Sequence, residues 1–170
     1  MKRISLFLIA IFVLTTSCQK KEVKTFEGEY FFKTGGYVEI SGKATKSDDE
    51  TSVDTVFTRF LPNEIGQMLI VQSNPGVYKV TMNVIGSAPI VFDATADGDN
   101  MTLAPAERDI LVYPSVSMIL PDTRMRLSMG GDGCLYNDMI IFNLNVTGKY
   151  DHSFLKGEIT KSSVTCIAEK

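Results

Sequence analysis

The sequence predicts an all-β domain, an antiparallel meander that closes into a barrel, with a two-sheet β-sandwich as the alternative. Short runs of alternating apolar and polar residues are separated by Gly, Pro, Asn and Asp, and helical periodicity is nearly absent. Most connections between the runs are short, which favours antiparallel neighbours. Closure into a barrel is favoured because it removes the exposed edges of a sheet.

The N-terminal half divides into short predicted strands with clear turns. Residues 29–33 and 37–45 flank Gly35-Gly36, which predicts a tight hairpin because glycine accepts the positive φ that such turns need. The strand over residues 77–85 has the clearest alternation of this half. Other strands are predicted over residues 53–61, 68–71, 89–96 and 101–104.

The C-terminal half contains the one candidate helical turn, over residues 104–108, because Pro105 is placed where a helix can begin. Residues 130–133, with the sequence GGDG, predict a flexible loop. Residues 139–148 alternate strictly and predict a strand. Further strands are predicted over residues 109–113, 116–120, 123–129, 154–160 and 163–168, which makes about ten or eleven strands in the chain.

The first seventeen residues have the layout of a secretory signal. Lys2 and Arg3 form a positive start, residues 4–14 are an apolar run of 11, and small residues precede Cys18. The apolar run is about half of the roughly 20 residues that a membrane-spanning helix needs. We therefore expect a cleaved signal rather than a transmembrane helix.

The residues around Cys18 resemble the signal of bacterial lipoproteins, in the relaxed form found in Bacteroidota, with Leu14 four residues before the cysteine. The resemblance implies that Cys18 is acylated, for example with palmitate, and anchors the protein in the outer membrane. Several acyl chains together anchor a protein stably. Residues 19–22, QKKE, resemble a surface-export signal, which implies display at the cell surface, with the periplasmic face as the alternative. A cleaved signal with an incidental cysteine is the competing interpretation.

The length supports a single domain behind this leader. We expect a signal peptide over residues 1–17, a lipidated tether over 18–25 and a single β domain over 26–170. The mature chain has 170 − 17 = 153 residues, enough for one sizeable core. The leader carries two of 17 basic residues and no acidic one, so the mature net charge is 15 − 20 = −5. That charge leaves no electrostatic footprint for nucleic acid.

Cys134 and Cys166 remain after Cys18 is assigned to lipid, and form an even pair in an oxidising compartment. They predict either a disulfide or two buried free thiols. One histidine and no CxxC predict no zinc site, and we expect no metal and no cofactor. His152 is beside Asp151 at a predicted hairpin tip, where adjacent residues cannot form a catalytic triad. Residues 97–100, DGDN, resemble the start of a calcium loop but lack its later acidic ligand, which favours a simple turn.

Methionines on predicted strands suit an adaptable apolar ligand site. Tyr78, Met82 and Met125 are the candidate ligand-facing residues, and ordinary core packing is the alternative. Residues 54–56, DTV, resemble the O-glycosylation sequence of Bacteroidota export proteins, which implies modification of Thr55.

Three segments carry a resemblance to a known fold family. They are FEGEYFF at residues 26–32, ATADGDNMTL at 94–103 and IIFNLNVTGKYDHSFLKGEI at 140–159. Together they resemble the calycin or lipocalin-like barrels of small Bacteroidota lipoproteins. The resemblance implies a lipocalin-like barrel and a ligand-binding role.

These observations predict an outer-membrane-anchored, non-enzymatic domain that binds a small apolar ligand or a partner protein. A structural or inhibitory surface module of sandwich type, acting through loops such as residues 45–51 and 130–138, is the second hypothesis. A hydrolase whose carboxylates converge inside the barrel is the third. The expected partners are the membrane, through the lipid anchor, and the ligand or surface protein, with no nucleic acid.

Overall fold

The computed structural model describes residues 25–45, 52–112, 123–152 and 155–170, and these residues form nine antiparallel strands. The expected leader, Cys18 and most of the tether lie outside the described residues. The strands are β1 (Gly28–Thr45), β2 (Ser52–Phe60), β3 (Ile65–Asn74), β4 (Val77–Val84), β5 (Ile90–Asp97), β6 (Asn100–Val112), β7 (Thr123–Tyr136), β8 (Met139–His152) and β9 (Leu155–Glu169).

The sheet closes on itself. Strands β3 to β9 follow one another as an antiparallel meander, and β1 pairs with β3 on one edge and with β9 on the other. The result is a closed barrel of eight strands, which confirms the predicted all-β meander and decides against the two-sheet sandwich. Strand β2 lies outside this ring and pairs with the second half of β1.

The predicted hairpin at Gly35-Gly36 is wrong, because β1 runs without reversal through both glycines. On one edge β1 pairs with β3 as far as Lys33 and with β2 from Tyr37 onwards, so the glycines lie where it changes partner. Gly36 has φ 149°, and a Cβ there would lie 2.1 Å from the backbone oxygen of Ser163 in β9. The glycine therefore permits a close approach of β9 instead of a turn.

The predicted helical turn over residues 104–108 and the predicted loop over 130–133 are also wrong, because both segments are strand. Strand β6 shifts register between Leu103 and Ala106, and Pro105 occupies this bulge, where a missing backbone donor is tolerated. The two strands predicted over 154–160 and 163–168 are one strand, β9. The strand predicted over 116–120 lies outside the described residues.

The hydrophobic core occupies the lumen of the barrel. Side chains alternate between the lumen and the exterior, as the period of a strand requires. The inward side chains with almost no exposure include Tyr30, Ile40, Met68, Ile70, Val80, Met82, Phe92, Met101, Leu127, Ile140, Phe142, Cys166 and Ala168.

Within the described residues, no helix is long and apolar enough to cross a membrane.

Candidate functional site

Side chains fill the described part of the lumen. A cavity beside Thr34, Leu61 and Val164 measures about 10 Å³, which is room for one water at most. Tyr78 and Met82, two of the three candidate ligand-facing residues, are buried members of the core. The side chain of Met125 lies outside the described residues. Tyr78 and Met82 thus pack in the core of the described lumen instead of facing an open ligand cavity.

Two polar side chains that reach this lumen, those of Tyr30 and Glu64, are engaged within the protein. The Tyr30 hydroxyl donates to the backbone oxygen of Phe26 at 2.9 Å. Burial, with a smaller contribution from the charge of Asp138, raises the pKa of Tyr30 to about 12. Among carboxylates with described side chains, Glu64 is the one that enters the lumen, and it is ion-paired with Arg108. The described residues therefore contain no pair of buried carboxylates of the kind that the hydrolase hypothesis requires.

Cys134 and Cys166 are free thiols that the fold keeps apart. Cys134 lies opposite Ile141 of β8, and Cys166 lies opposite Phe142 on the other edge of β8. Two strand spacings, about 9–10 Å, separate their backbones, whereas a disulfide needs Cα atoms within about 7 Å. Cys134 is also exposed and Cys166 buried, so the candidate disulfide does not fit this arrangement.

The other residues singled out in the sequence do not come together. Thr55 is half-buried on β2, opposite Gly42 of β1, and its glycosylation stays a prediction. His152 ends β8 opposite Leu155. Asp97 pairs with Asn100 in the tight turn between β5 and β6, as predicted. No group of three or more metal-ligating side chains occurs in the part of the chain that the structure describes.

The structure instead places an open groove of about 300 Å³, lined by polar and small residues, on the outside of the barrel over β7. Residues of β7 form its floor, and residues of β6 and β8 form its two walls. The groove over β7 is lined by Thr102, Pro105, Ser128, Gly130, Gly131, Asp132, Asn145 and Thr147.

The bulge in β6 explains why this groove exists. A Cβ on Gly130 would lie 3.0 Å from the backbone oxygen of Leu103 and 3.1 Å from the nitrogen of Pro105. The bulged backbone of β6 therefore approaches β7 closely enough to favour glycine at the floor. Because glycine has no side chain, the outer surface of β7 forms a depression between β6 and β8.

Hydrogen bonds hold the two most polar side chains of the groove in place. The Thr102 hydroxyl donates to Asp132 Oδ1 at 2.7 Å. The Ser162 hydroxyl donates to Asn145 Oδ1 at 3.1 Å and accepts from the backbone nitrogen of Val146 at 3.1 Å. Asp132 thus keeps Oδ2 as an acceptor, and Asn145 keeps Nδ2 as a donor.

The chemistry of the groove is that of hydrogen bonding without strong charge. Asp132 is the one charged side chain among the described residues that line it, and none of those residues is aromatic or basic. Ser128 and Thr147 add hydroxyls that can donate or accept. Such a lining disfavours phosphates and large apolar ligands, and suits a small neutral ligand with several hydroxyl groups.

Sequence reasoning missed this site because GGDG was interpreted as a loop. The available signal was its position between alternating residues, with Leu127 and Met129 before it and Leu135 after it. Glycines inside a strand pattern indicate a close approach of backbone or ligand.

In comparisons with known proteins, the sequence matches no protein-family model and no curated protein at a significant level.

Proposed function

We propose that the protein is a non-enzymatic binding module, anchored in the outer membrane at the cell surface through acylated Cys18. We further propose that the groove over β7 binds a small neutral ligand of the saccharide class. The observation that carries this proposal is the groove itself, in which an acceptor at Asp132 and a donor at Asn145 are held by neighbouring hydroxyls.

The donor and acceptor set of the groove matches a sugar. Each sugar hydroxyl can donate one hydrogen bond and accept others, so it can meet Asp132 Oδ2, Asn145 Nδ2 and the hydroxyls of Ser128 and Thr147. A volume of about 300 Å³ is at the lower end of the range of small-molecule pockets, which favours one or two sugar units.

The packed lumen supports a ligand on the exterior. A small apolar ligand would need space inside the barrel that the described side chains, including Tyr78 and Met82, already fill. An apolar ligand would also find no large apolar side chain among the described residues that line the groove. We therefore keep the expected binding role, but place the ligand on the exterior of the barrel and expect it to be polar instead of apolar.

Backbone NMR of the mature chain with Cys18→Ser tests the groove. Titration with a panel of neutral mono- and disaccharides should shift the amide signals of residues 128–132 and 145–147 for at least one sugar. The double variant Asp132→Ala/Asn145→Ala should weaken that binding at least tenfold. The matched variant Asp93→Ala/Asn83→Ala removes the same two groups from exposed positions on β5 and β4 and should bind normally.

Two results would contradict the proposal. A panel in which no sugar shifts a groove amide would remove the ligand class, and equal weakening by both double variants would remove the site. The anchor is tested separately with Cys18→Ala, which should release the protein from the membrane fraction. Continued retention of this variant would contradict acylation at Cys18.

A further inference from the structure

The exposed apolar side chains of the barrel are concentrated on one half of its exterior. Eleven large apolar side chains are exposed among the described residues, and ten of them lie between Phe31 and Val91, on β1 to β5 and their connections. Tyr136, near the tip of the β7–β8 hairpin, is the eleventh. Monomeric soluble proteins rarely expose contiguous apolar patches larger than a few hundred Å², so contiguous members of this set are candidates for an interaction surface.

Strand register shows that part of this set is contiguous. Phe31 lies opposite Gln67, so Ile65 and Leu69 are its diagonal neighbours on the same face. The backbone nitrogen of Ile85 donates to the oxygen of Ile65 at 3.1 Å, which places these two residues side by side. Thr81 of β4 pairs with Leu69 of β3 on one side and with Val91 of β5 on the other, so the three residues share one face. We call Phe31, Ile65, Leu69, Ile85 and Val91 the apolar face; they are 40% to 73% exposed.

The apolar face and the groove over β7 lie on opposite sides of the barrel. Strand β3, which carries Ile65 and Leu69, is separated from β7 by four steps around the eight-strand ring in either direction. The polar residues among the apolar ones, Gln67, Thr81 and Asn83, are uncharged. Lys33, opposite Ile65, and Glu29, opposite Leu69, add one charge of each sign beside the face.

The described chain begins beside the strand that carries part of this face. Cys18 is seven residues before Thr25, the first described residue, and an extended chain of that length spans at most about 25 Å. Strand β1 begins at Gly28 opposite Ile70 of β3, so the tether enters the barrel beside the strand that carries Ile65 and Leu69. Lys20, Lys21 and Lys24 make the tether positive, which suits an anionic membrane surface.

We propose that the apolar face docks on the lipid bilayer that holds the acyl chains of Cys18, and that the groove over β7 consequently faces away from the membrane. The inference rests on the proposed acylation of Cys18. Anchoring makes the contact with lipid effectively intramolecular, so a patch of modest size is sufficient for docking. The exposed Phe31, Ile65 and Ile85 side chains insert among the lipid headgroups.

The absence of tryptophan from the sequence makes the proposal directly measurable. A single tryptophan is placed on the apolar face, as Phe31→Trp or Ile65→Trp, or on the exposed exterior of β8, as Asn143→Trp. Each acylated full-length mature variant is reconstituted on vesicles of phosphatidylethanolamine and phosphatidylglycerol. Fluorescence emission and quenching by brominated lipids are then measured, and cosedimentation with the vesicles reports anchoring.

We expect all three acylated variants to sediment with the vesicles, and the corresponding Cys18→Ser proteins to remain in solution. Phe31→Trp and Ile65→Trp should show a blue-shifted emission and quenching by brominated lipid, whereas Asn143→Trp should show neither. If all variants sediment but the three emission spectra are alike, docking is refuted and the anchor stands. If no acylated variant sediments, anchoring through Cys18 is contradicted, and docking, which rests on it, is overturned as well. A blue shift at Phe31→Trp without vesicles, together with a dimer in sedimentation analysis, would assign the face to a second copy and overturn the proposal.

Discussion

Arg108 Nη1 donates to Glu64 Oε2 at 2.7 Å across the lumen of the barrel. Glu64 is bound to β1 through Thr34, because the Thr34 backbone nitrogen donates to the Glu64 oxygen at 2.7 Å and the Glu64 nitrogen donates to Thr34 Oγ1 at 3.1 Å. Arg108 belongs to β6, four steps from β1 around the ring in either direction. The ion pair thus joins opposite walls of the barrel.

Breaking this ion pair should destabilise the fold. Glu64→Gln leaves the guanidinium of Arg108, only 10% exposed, without its carboxylate, and should lower the free energy of unfolding by about 2–4 kcal/mol. Urea unfolding of the mature Cys18→Ser chain measures the change. The double variant Glu64→Leu/Arg108→Met, which removes both charges, should recover most of the loss. A double variant less stable than Glu64→Gln would contradict this account.

Arg59 presents the opposite case, a buried cation on β2 that lacks a full set of partners. It is 4% exposed, its Nε has no hydrogen-bond partner among the described residues, and its Cζ lies 4.9 Å from the centroid of the Phe57 ring. A cation–π contact contributes about 0.5–2 kcal/mol, less than the several kcal/mol that burying an ion costs. Arg59→Met should therefore raise the free energy of unfolding by about 1–2 kcal/mol. Arg59→Lys keeps the buried charge and should give no gain; a loss of stability with methionine would refute the argument.

The two cysteines of the domain should differ sharply in reactivity. Cys134 is exposed, whereas burial, aided by the charge of Glu64, raises the pKa of Cys166 to about 12. Because the thiolate is the reactive form, a disulfide reagent added to the native Cys18→Ser chain should modify one thiol per chain quickly. Cys134→Ala should abolish this fast reaction and Cys166→Ala should not. A chain with no reactive thiol before reduction would show that the two cysteines are bridged.

Stability should fall at alkaline pH because two buried acids keep their protons in the fold. The pKa of Cys166 rises from 9.0 to about 12 and that of Tyr30 from 10.0 to about 12. Above pH 9 the unfolded chain releases these protons and the folded chain does not, so the free energy of unfolding decreases as pH rises from about 9 to 12. Urea unfolding between pH 8 and 11 should show a shallower decrease for Cys166→Ala than for Cys134→Ala. If the free energy of unfolding fell equally with pH in these two variants, the thiol of Cys166 would not contribute to the alkaline loss of stability.

A side chain at Gly133 should destabilise the fold. It faces the lumen opposite Phe142, and a Cβ there would lie 2.3 Å from Phe142 Cδ1. Gly133→Ala therefore displaces a fully buried ring and should cost about 1–3 kcal/mol in urea unfolding. At Gly35 an added Cβ would meet only the exposed side chain of Asn63, at 3.2 Å, so Gly35→Ala should cost much less. Equal costs at the two positions would contradict the explanation.

Alternation along the chain predicted the strands whose two faces differ most. Strands β4 and β8 were predicted closely, because one face of each meets the core and the other meets solvent. Glycine was misinterpreted at Gly36 and Gly130 for one reason. The residue permits both turns and close packing, and only the neighbouring strand decides which of the two occurs.

The sequence by itself determined the all-β class and the core faces of the regular strands, and the predicted leader and anchor at Cys18 rest on the sequence alone. Only the tertiary structure decided that β1 meets β9 near the other end of the chain and closes the barrel, because such distant pairing leaves no local pattern. The same closure placed Cys134 outside and Cys166 inside the wall, and set the apolar face and the groove on opposite sides. These relationships depend on which strands become neighbours, and that depends on packing across the whole chain.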